Sequence, residues 1–131
     1  MITENYKYSD ITDKIIKAFY NVYNKLGYGF LEKVYENAMM IELNKFGLQA
    51  NNQFPIKVFY DEQRVGEYFA DIIVNDVVII ELKASENLCE EHECQLINYL
   101  KATDIEVGLL LNFGKEPQIK RKVFTKDHKK S

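Results

Sequence analysis

The stretch "ADIIVNDVVIIELKA", residues 70–84, decides how this chain is read. It holds two β-branched runs around the turn pair "ND", which is the pattern of a hairpin. Each run also carries charge where a buried strand should not. Asp71 opens the first, and Glu81 and Lys83 close the second. Val77 to Ile80 is an unbroken β-branched run, so the second strand reads as buried on both faces. A charge placed there costs on the order of several kcal/mol unless it is paired or bound to a cation. Costly charge in a core usually has a use, which makes these three side chains candidates for a site.

Whether they meet is a question of register. Residues two apart on a strand share a face, so Glu81 and Lys83 project together. A two-residue loop at Asn75 and Asp76 would pair Val74 with Val77, set Asp71 opposite Ile80, and send it to the wrong face. A three-residue loop over 75–77, or a bulge, sets Asp71 opposite Glu81 instead. Two carboxylates converging in a core repel, and a hard divalent cation removes that repulsion through oxygen ligands.

Working outward, Ile11, Ile15, Phe19, Val22 and Leu26 recur at steps of three and four. They predict an amphipathic helix that starts near Ser9 or Thr12 and stops at Gly27. A second helix follows "GYG" from near Phe30 to Phe46, with Gly47 as its stop. "FPIKVFY" alternates as a strand over 54–60, "DEQRVG" reads as a turn, and 67–74 is the strand that enters the hairpin. A third helix is expected from Asn87 to Ala102. "VGLLLN", residues 107–112, is a strand covered on both faces. Ile119 to Phe124 is either an edge strand or a short helix. The order is ααβββαβ, an α/β domain over residues 1–131, and the crossover helix makes the third and fourth strands parallel.

The chain has 131 residues, 47% hydrophobic and 28% charged, as expected of one folded domain. Nine tyrosines and eight phenylalanines, with no tryptophan, predict an aromatic-rich core. No apolar run approaches the ~18–20 residues of a membrane-spanning helix, and no secretion signal opens the chain. The expectation is a cytoplasmic protein with no membrane partner. Cys89, His92 and Cys94 match neither a CxxC redox motif nor a Cys-only metal site, and read as incidental.

The net charge of −3 is unevenly spread. From Lys115 onward there are seven basic residues against two acidic, leaving ten basic and eighteen acidic before them. Lys120, Arg121 and Lys122 in this segment read either as part of a solvated tail or as a phosphate-contacting arm. Glu32 and Glu36 share a helical face, with Tyr35 beside them. Gln95 and Tyr99 lie on one stripe of the third helix, as does His92, so an amide and a phenol can face the carboxylates.

Taken together, "GFLEKVYE", "D…ELK" and "QLINYLKAT" resemble the PD-(D/E)xK nuclease superfamily, and within it the GxxExxY family. Gly29, Glu32 and Tyr35 fill that family's pattern. Asp71, Glu81 and Lys83 fill the superfamily's D…ExK, and Gln95 with Tyr99 fits the QxxxY element of its RecB-like branch. The likeness runs from about Leu26 to Phe113 and departs at Ala70, where the superfamily often has proline. It implies a restriction-endonuclease-like central mixed sheet flanked by helices, and metal-dependent hydrolysis of DNA, in repair or defence. RNA is the alternative substrate, and a homodimer or partner protein is an open expectation. By the same resemblance Asp71 and Glu81 would bind Mg²⁺ or Mn²⁺, with the Leu82 carbonyl and Glu32 completing the shell. Lys83 would position the attacking water or stabilise charge on the phosphorane, Gln95 would orient Lys83 or the scissile phosphate, and Tyr35, Glu36 and Tyr99 would support the site. Two further readings stay open: a nucleic-acid-binding module that has lost catalysis, and a hydrolase of a smaller phosphate ester.

Overall fold

The computed structural model describes residues 7–125. Helix α1 (Ser9–Leu26) buries the expected stripe of Ile15, Phe19 and Val22. Gly27 ends it with a φ of 69°, a value L side chains rarely adopt, and its N–H donates to the Tyr23 carbonyl at 2.8 Å. Helix α2 (Glu32–Lys45) packs on α1. It starts two residues later than the pattern suggests, and the Phe30 N–H before it donates to the Tyr35 hydroxyl at 3.2 Å.

Five strands form one sheet in the order β1-β2-β3-β4-β5. They are β1 (Ala50–Tyr60), β2 (Gln63–Val74), β3 (Val78–Lys83), β4 (Val107–Phe113) and β5 (Pro117–Val123). Helix α3 (Glu90–Lys101) is the crossover that makes β3 and β4 parallel, and the other neighbours are antiparallel. The mixed α/β order expected from the sequence is therefore present. Residues 117–123 of the basic segment form an edge strand rather than a helix. Residues 126–131, the rest of that basic segment, lie outside the described residues.

The sheet is sandwiched. Val78, Ile80 and Leu82 of β3 pack under α1 and α2 with Ile72, Val74, Leu109 and Phe113. Ile79 faces the other way, into a smaller core with Ile73, Leu110 and the α3 residues Leu96 and Leu100. Burial on both faces is why β3 can be β-branched without alternation.

The hairpin register settles the parity question. Val74 pairs with Val78, Ile73 with Ile79 and Ile72 with Ile80, so the loop is 75–77. Asn75 and Asp76 take φ values of 51° and 59°, a primed turn closed by the Val77 N–H on the Val74 carbonyl at 3.0 Å. Val77 is the extra, bulged residue that shifts the parity.

The other hairpin is longer than its pattern suggests. "DEQRVG" reduces to a turn at Asp61 and Glu62, with φ values of 50° and 65°, and β2 starts at Gln63. Strand β1 likewise begins at Ala50 rather than 54. Residues 51–53 and 63–65, the parts the pattern misses, are exposed, so burial imposes no alternation there for the sequence to display. β3 pairs only with residues 72–74 of β2, and the outer arm extends past it.

Candidate active site

The site forms where β2 and β3 part. After the Ile72–Ile80 pair the next opposed residues are Asp71 and Glu81, and there side chains replace the ladder. The Asp71 N–H donates to Oε2 of Glu81 at 2.8 Å, and the Leu82 N–H donates to Oδ2 of Asp71 at 2.7 Å. Each carboxylate is thus bonded to the opposite strand's backbone, leaving Oδ1 and Oε1 for a further ligand. The pair sits at the mouth of the fork with Glu81 only 4% exposed.

A distortion in β1 aims Asp71. Gln53, across from it, has a φ of 54°, and regular pairing skips from Asn52–Ile72 to Phe54–Ala70. Alternation should place Ala70 and Ile72 on the same face. Yet Ile72 packs beneath α1 and α2, and Ala70 beneath α3. The strand therefore changes face at Asp71. A left-handed residue other than glycine costs about 1–2 kcal/mol, and Glu36 holds this one in place. The Glu36 carboxylate accepts from Gln53 at 3.1 Å, from Asn52 at 3.0 Å and from Lys33 at 3.1 Å.

Electrostatically the two carboxylates are under stress. Burial, above all, pushes Asp71 up to about 6, and the charges of Glu36 and Glu32 add to it. Burial pushes Glu81 up to about 8, with the Asp71 charge the next cause. The mutual repulsion falls on Glu81, the more buried partner, which holds its proton longer. The Lys83 amine favours the ionised form of both. It donates to Oε1 of Gln95 at 3.3 Å. Tyr99, 5% exposed and hydrogen-bonded to Gln95, is pushed up to about 12 by burial and then by Glu81 and Asp71.

So Asp71, Glu81, Lys83, Gln95 and Tyr99 come together. The remaining candidates are placed differently. Glu32 stands exposed on the first turn of α2 and acts on the pair through its charge. Among the described residues no group of three or more Asp, Glu, His or Cys side chains is set to hold a metal. Glu36 bonds to β1 rather than to the carboxylates. Tyr35 donates to the Gly27 carbonyl at 2.7 Å and stacks on Phe113 with ring centres 4.0 Å apart, so it braces the loop leading to Glu32. The basic trio of β5 is divided by strand alternation. Lys122 pairs with Glu93 at 2.6 Å, and Arg121 donates to the Lys7 carbonyl at 2.7 Å. They do not form one basic patch. Cys89 and Cys94 are exposed thiols, and the His92 ring accepts from the Cys89 N–H at 3.3 Å as part of the α3 cap.

One positioning network escaped the sequence reading. Asn112, fully buried, is the β4 partner of Lys83. Its side chain accepts from the Ser85 N–H at 3.0 Å and donates to the Ser85 carbonyl at 2.9 Å and to Gln118 at 3.0 Å. Gln118 in turn accepts from the Leu88 N–H at 3.1 Å. The loop from Lys83 to α3 is thereby fixed to β4. Gly114 lets it lie close, since a Cβ there would come within 2.6 Å of the Ser85 carbonyl. The signal was a lone asparagine in "VGLLLNF".

Two carboxylates, a lysine on their face and an amide holding the lysine can bind a hard cation and act on a phosphate ester. The family model of the PD-(D/E)XK nuclease superfamily matches residues 9–123. The chain belongs to that superfamily. Its members are generally nucleases and generally use divalent metal ions. This PD-(D/E)XK domain has the restriction-endonuclease-like fold, and its helix–helix–strand order fits it. It matches no curated protein. Among solved structures, the crystal structure of SSO0001 is similar, with a TM-score of 0.58 at 16% identity. The match covers 95% of this chain and 63% of the other, and at that identity the likeness is one of fold. No helix among the described residues is long and apolar enough to cross a membrane.

Proposed function

We propose that the chain is a metal-dependent nuclease that hydrolyses DNA phosphodiester bonds. The observation that carries this reading is the fork itself: two carboxylates, raised by burial and repulsion, cross-bonded to each other's strands beside a lysine. The donor set fits a hard cation, because oxygen ligands of net charge −2 are what Mg²⁺ or Mn²⁺ accepts. Asp71 and Glu81 would hold it, with the Leu82 carbonyl beside them and Glu32 able to join from α2. A divalent cation supplies Lewis-acid chemistry there, acidifying water and offsetting charge on the pentavalent phosphorus.

The chain's own groups do the rest. Lys83 contacts the attacking water or a phosphate oxygen, and its ammonium stabilises the growing negative charge. Gln95 holds the Lys83 amine in line, and Tyr99, kept neutral by its surroundings, is bonded to the Gln95 amide and has its O–H to donate to substrate. Glu36, through Gln53, keeps Asp71 turned toward Glu81. Tyr35 and Gly29 shape the loop before Glu32, which supports assignment to the GxxExxY family, as the Gln95–Tyr99 spacing supports the RecB-like branch. A cytoplasmic role in DNA repair or defence fits this chemistry.

The test is cleavage of plasmid, linear duplex and single-stranded DNA in Mg²⁺, Mn²⁺ or EDTA, by the parent, Asp71→Ala and Lys83→Ala. Metal-dependent cutting lost in both variants supports the reading. Cutting that persists in both sinks it, and DNA retention by an inert parent favours a binding module that has lost catalysis.

A further inference from the structure

The outer arm of the β1–β2 hairpin and the exposed side of α3 enclose an open groove of about 850 Å³, within the ~300–1,000 Å³ of ligand sites. Tyr68 and Phe59 line it from the hairpin, 53% and 59% exposed, and the Tyr99 ring lies 5.9 Å from that of Tyr68. Lys57 and Lys101 reach it from opposite walls. At its inner end the groove is continuous with the site described above. Gln95 lines it while accepting from Lys83, and Tyr99 lines it while bonded to Gln95.

Its charge narrows the occupant. Glu90 and Glu91 also line the groove and offset the two lysines. A duplex draws its affinity from phosphate contacts, which a groove of balanced charge supplies poorly. A strand with unpaired bases gains from exposed rings, because every base has a π face to stack. Exposed aromatics gathered in a concave place also mark a binding surface on general grounds.

From this we infer that the groove holds an unpaired stretch of nucleotide strand. Its bases stack on Tyr68 and Phe59, its phosphates lie toward Lys57 and Lys101, and its phosphodiester is fed to the Lys83–Gln95 end. The inference rests on the nuclease reading and names the form of its substrate. DNA and RNA strands share this chemistry.

The experiment measures fluorescence anisotropy in EDTA with labelled single-stranded DNA, single-stranded RNA of the same sequence, and duplex DNA. The parent, Tyr68→Ala, Tyr68→Phe and Phe59→Ala are compared, with matched thermal melts to show that each folds. The single strand should bind more tightly than duplex, and the DNA and RNA arms show which sugar is preferred. Tyr68→Ala should weaken that binding roughly 5- to 150-fold, as the loss of one stacked base (~1–3 kcal/mol) requires, and Tyr68→Phe should preserve it. Duplex binding as tight as single-strand binding overturns the inference, as do unchanged affinities in both alanine variants. Single-strand binding without any metal-dependent cutting would support the groove and remove the nuclease reading; cutting by a protein whose groove variants bind normally would do the reverse.

Discussion

Replacing Glu81 by glutamine should make the metal-free protein more stable at mildly alkaline pH, although it removes a central acidic group. Ionising Glu81 in the fold is unfavourable because it is buried beside Asp71. Moving its carboxyl from 4.5 to about 8 corresponds to a ceiling of about 5 kcal/mol, at ~1.4 kcal/mol per factor of ten. Glutamine still offers an acceptor to the Asp71 N–H, though a neutral one, so a net gain of about 1–3 kcal/mol is expected. In a domain of this size that raises Tm by roughly 5–10 °C. The pH dependence is the signature. A carboxyl raised by folding stabilises the protein fully below its ordinary 4.5, and that stability is lost as pH rises through about 8. Glu81→Gln should therefore match the parent at the acid end and outlast it at the alkaline end. Scanning calorimetry in EDTA across that range reads the difference. Mg²⁺ should then stabilise the parent far more than the variant. A variant less stable than the parent near pH 8 in EDTA, or an advantage independent of pH, would refute the reasoning.

Three further outcomes are expected. Mg²⁺ binding should release protons and tighten as pH rises through the range from about 6 to about 8, because Asp71 and Glu81 must ionise to take the cation. Calorimetric titration in buffers of different ionisation enthalpy checks this, and a pH-independent affinity would contradict it. Gln95→Ala should slow cleavage by roughly 10- to 100-fold while leaving Mg²⁺ affinity near the parent's, since Gln95 holds Lys83 rather than the carboxylates. An unchanged single-turnover rate would remove Gln95 from the site. Asn112→Ala should cost about 1–3 kcal/mol in urea unfolding, because it strips partners from both Ser85 backbone groups. An unshifted midpoint would show that the loop after Lys83 is held by something else.

How much of this was legible depended on burial. The β2–β3 register followed from parity, because charged residues in a doubly buried strand leave few arrangements free of penalty. A three-residue loop or a bulge was then needed, and the structure has the loop at 75–77 with Val77 as the extra residue. The first helix was legible for a similar reason: its stripe faces a core. The outer hairpin was not, since Gln63 to Gly66 meet no core that would impose alternation, and the turn at Asp61 and Glu62 forms without the usual glycine or asparagine. The face change at Asp71 was also hidden. It depends on Gln53 taking a left-handed conformation, and on Glu36 reaching it from another element. Glu36 looked like a companion of Glu32 on one helical face, but besides Lys33 its hydrogen bonds run to β1. The basic run at 120–122 read as a tail or an arm, and the strand that carries it sets Arg121 on the opposite face from Lys120 and Lys122.

The claim underneath all of this is that Asp71 and Glu81 share a divalent cation. Crystals soaked in Mn²⁺ and measured at an anomalous wavelength test it directly. The account predicts one strong peak about 2–2.5 Å from Oδ1 of Asp71 and Oε1 of Glu81, absent in crystals of Asp71→Ala. A fork without density at saturating Mn²⁺, or a peak that survives the substitution, would contradict it.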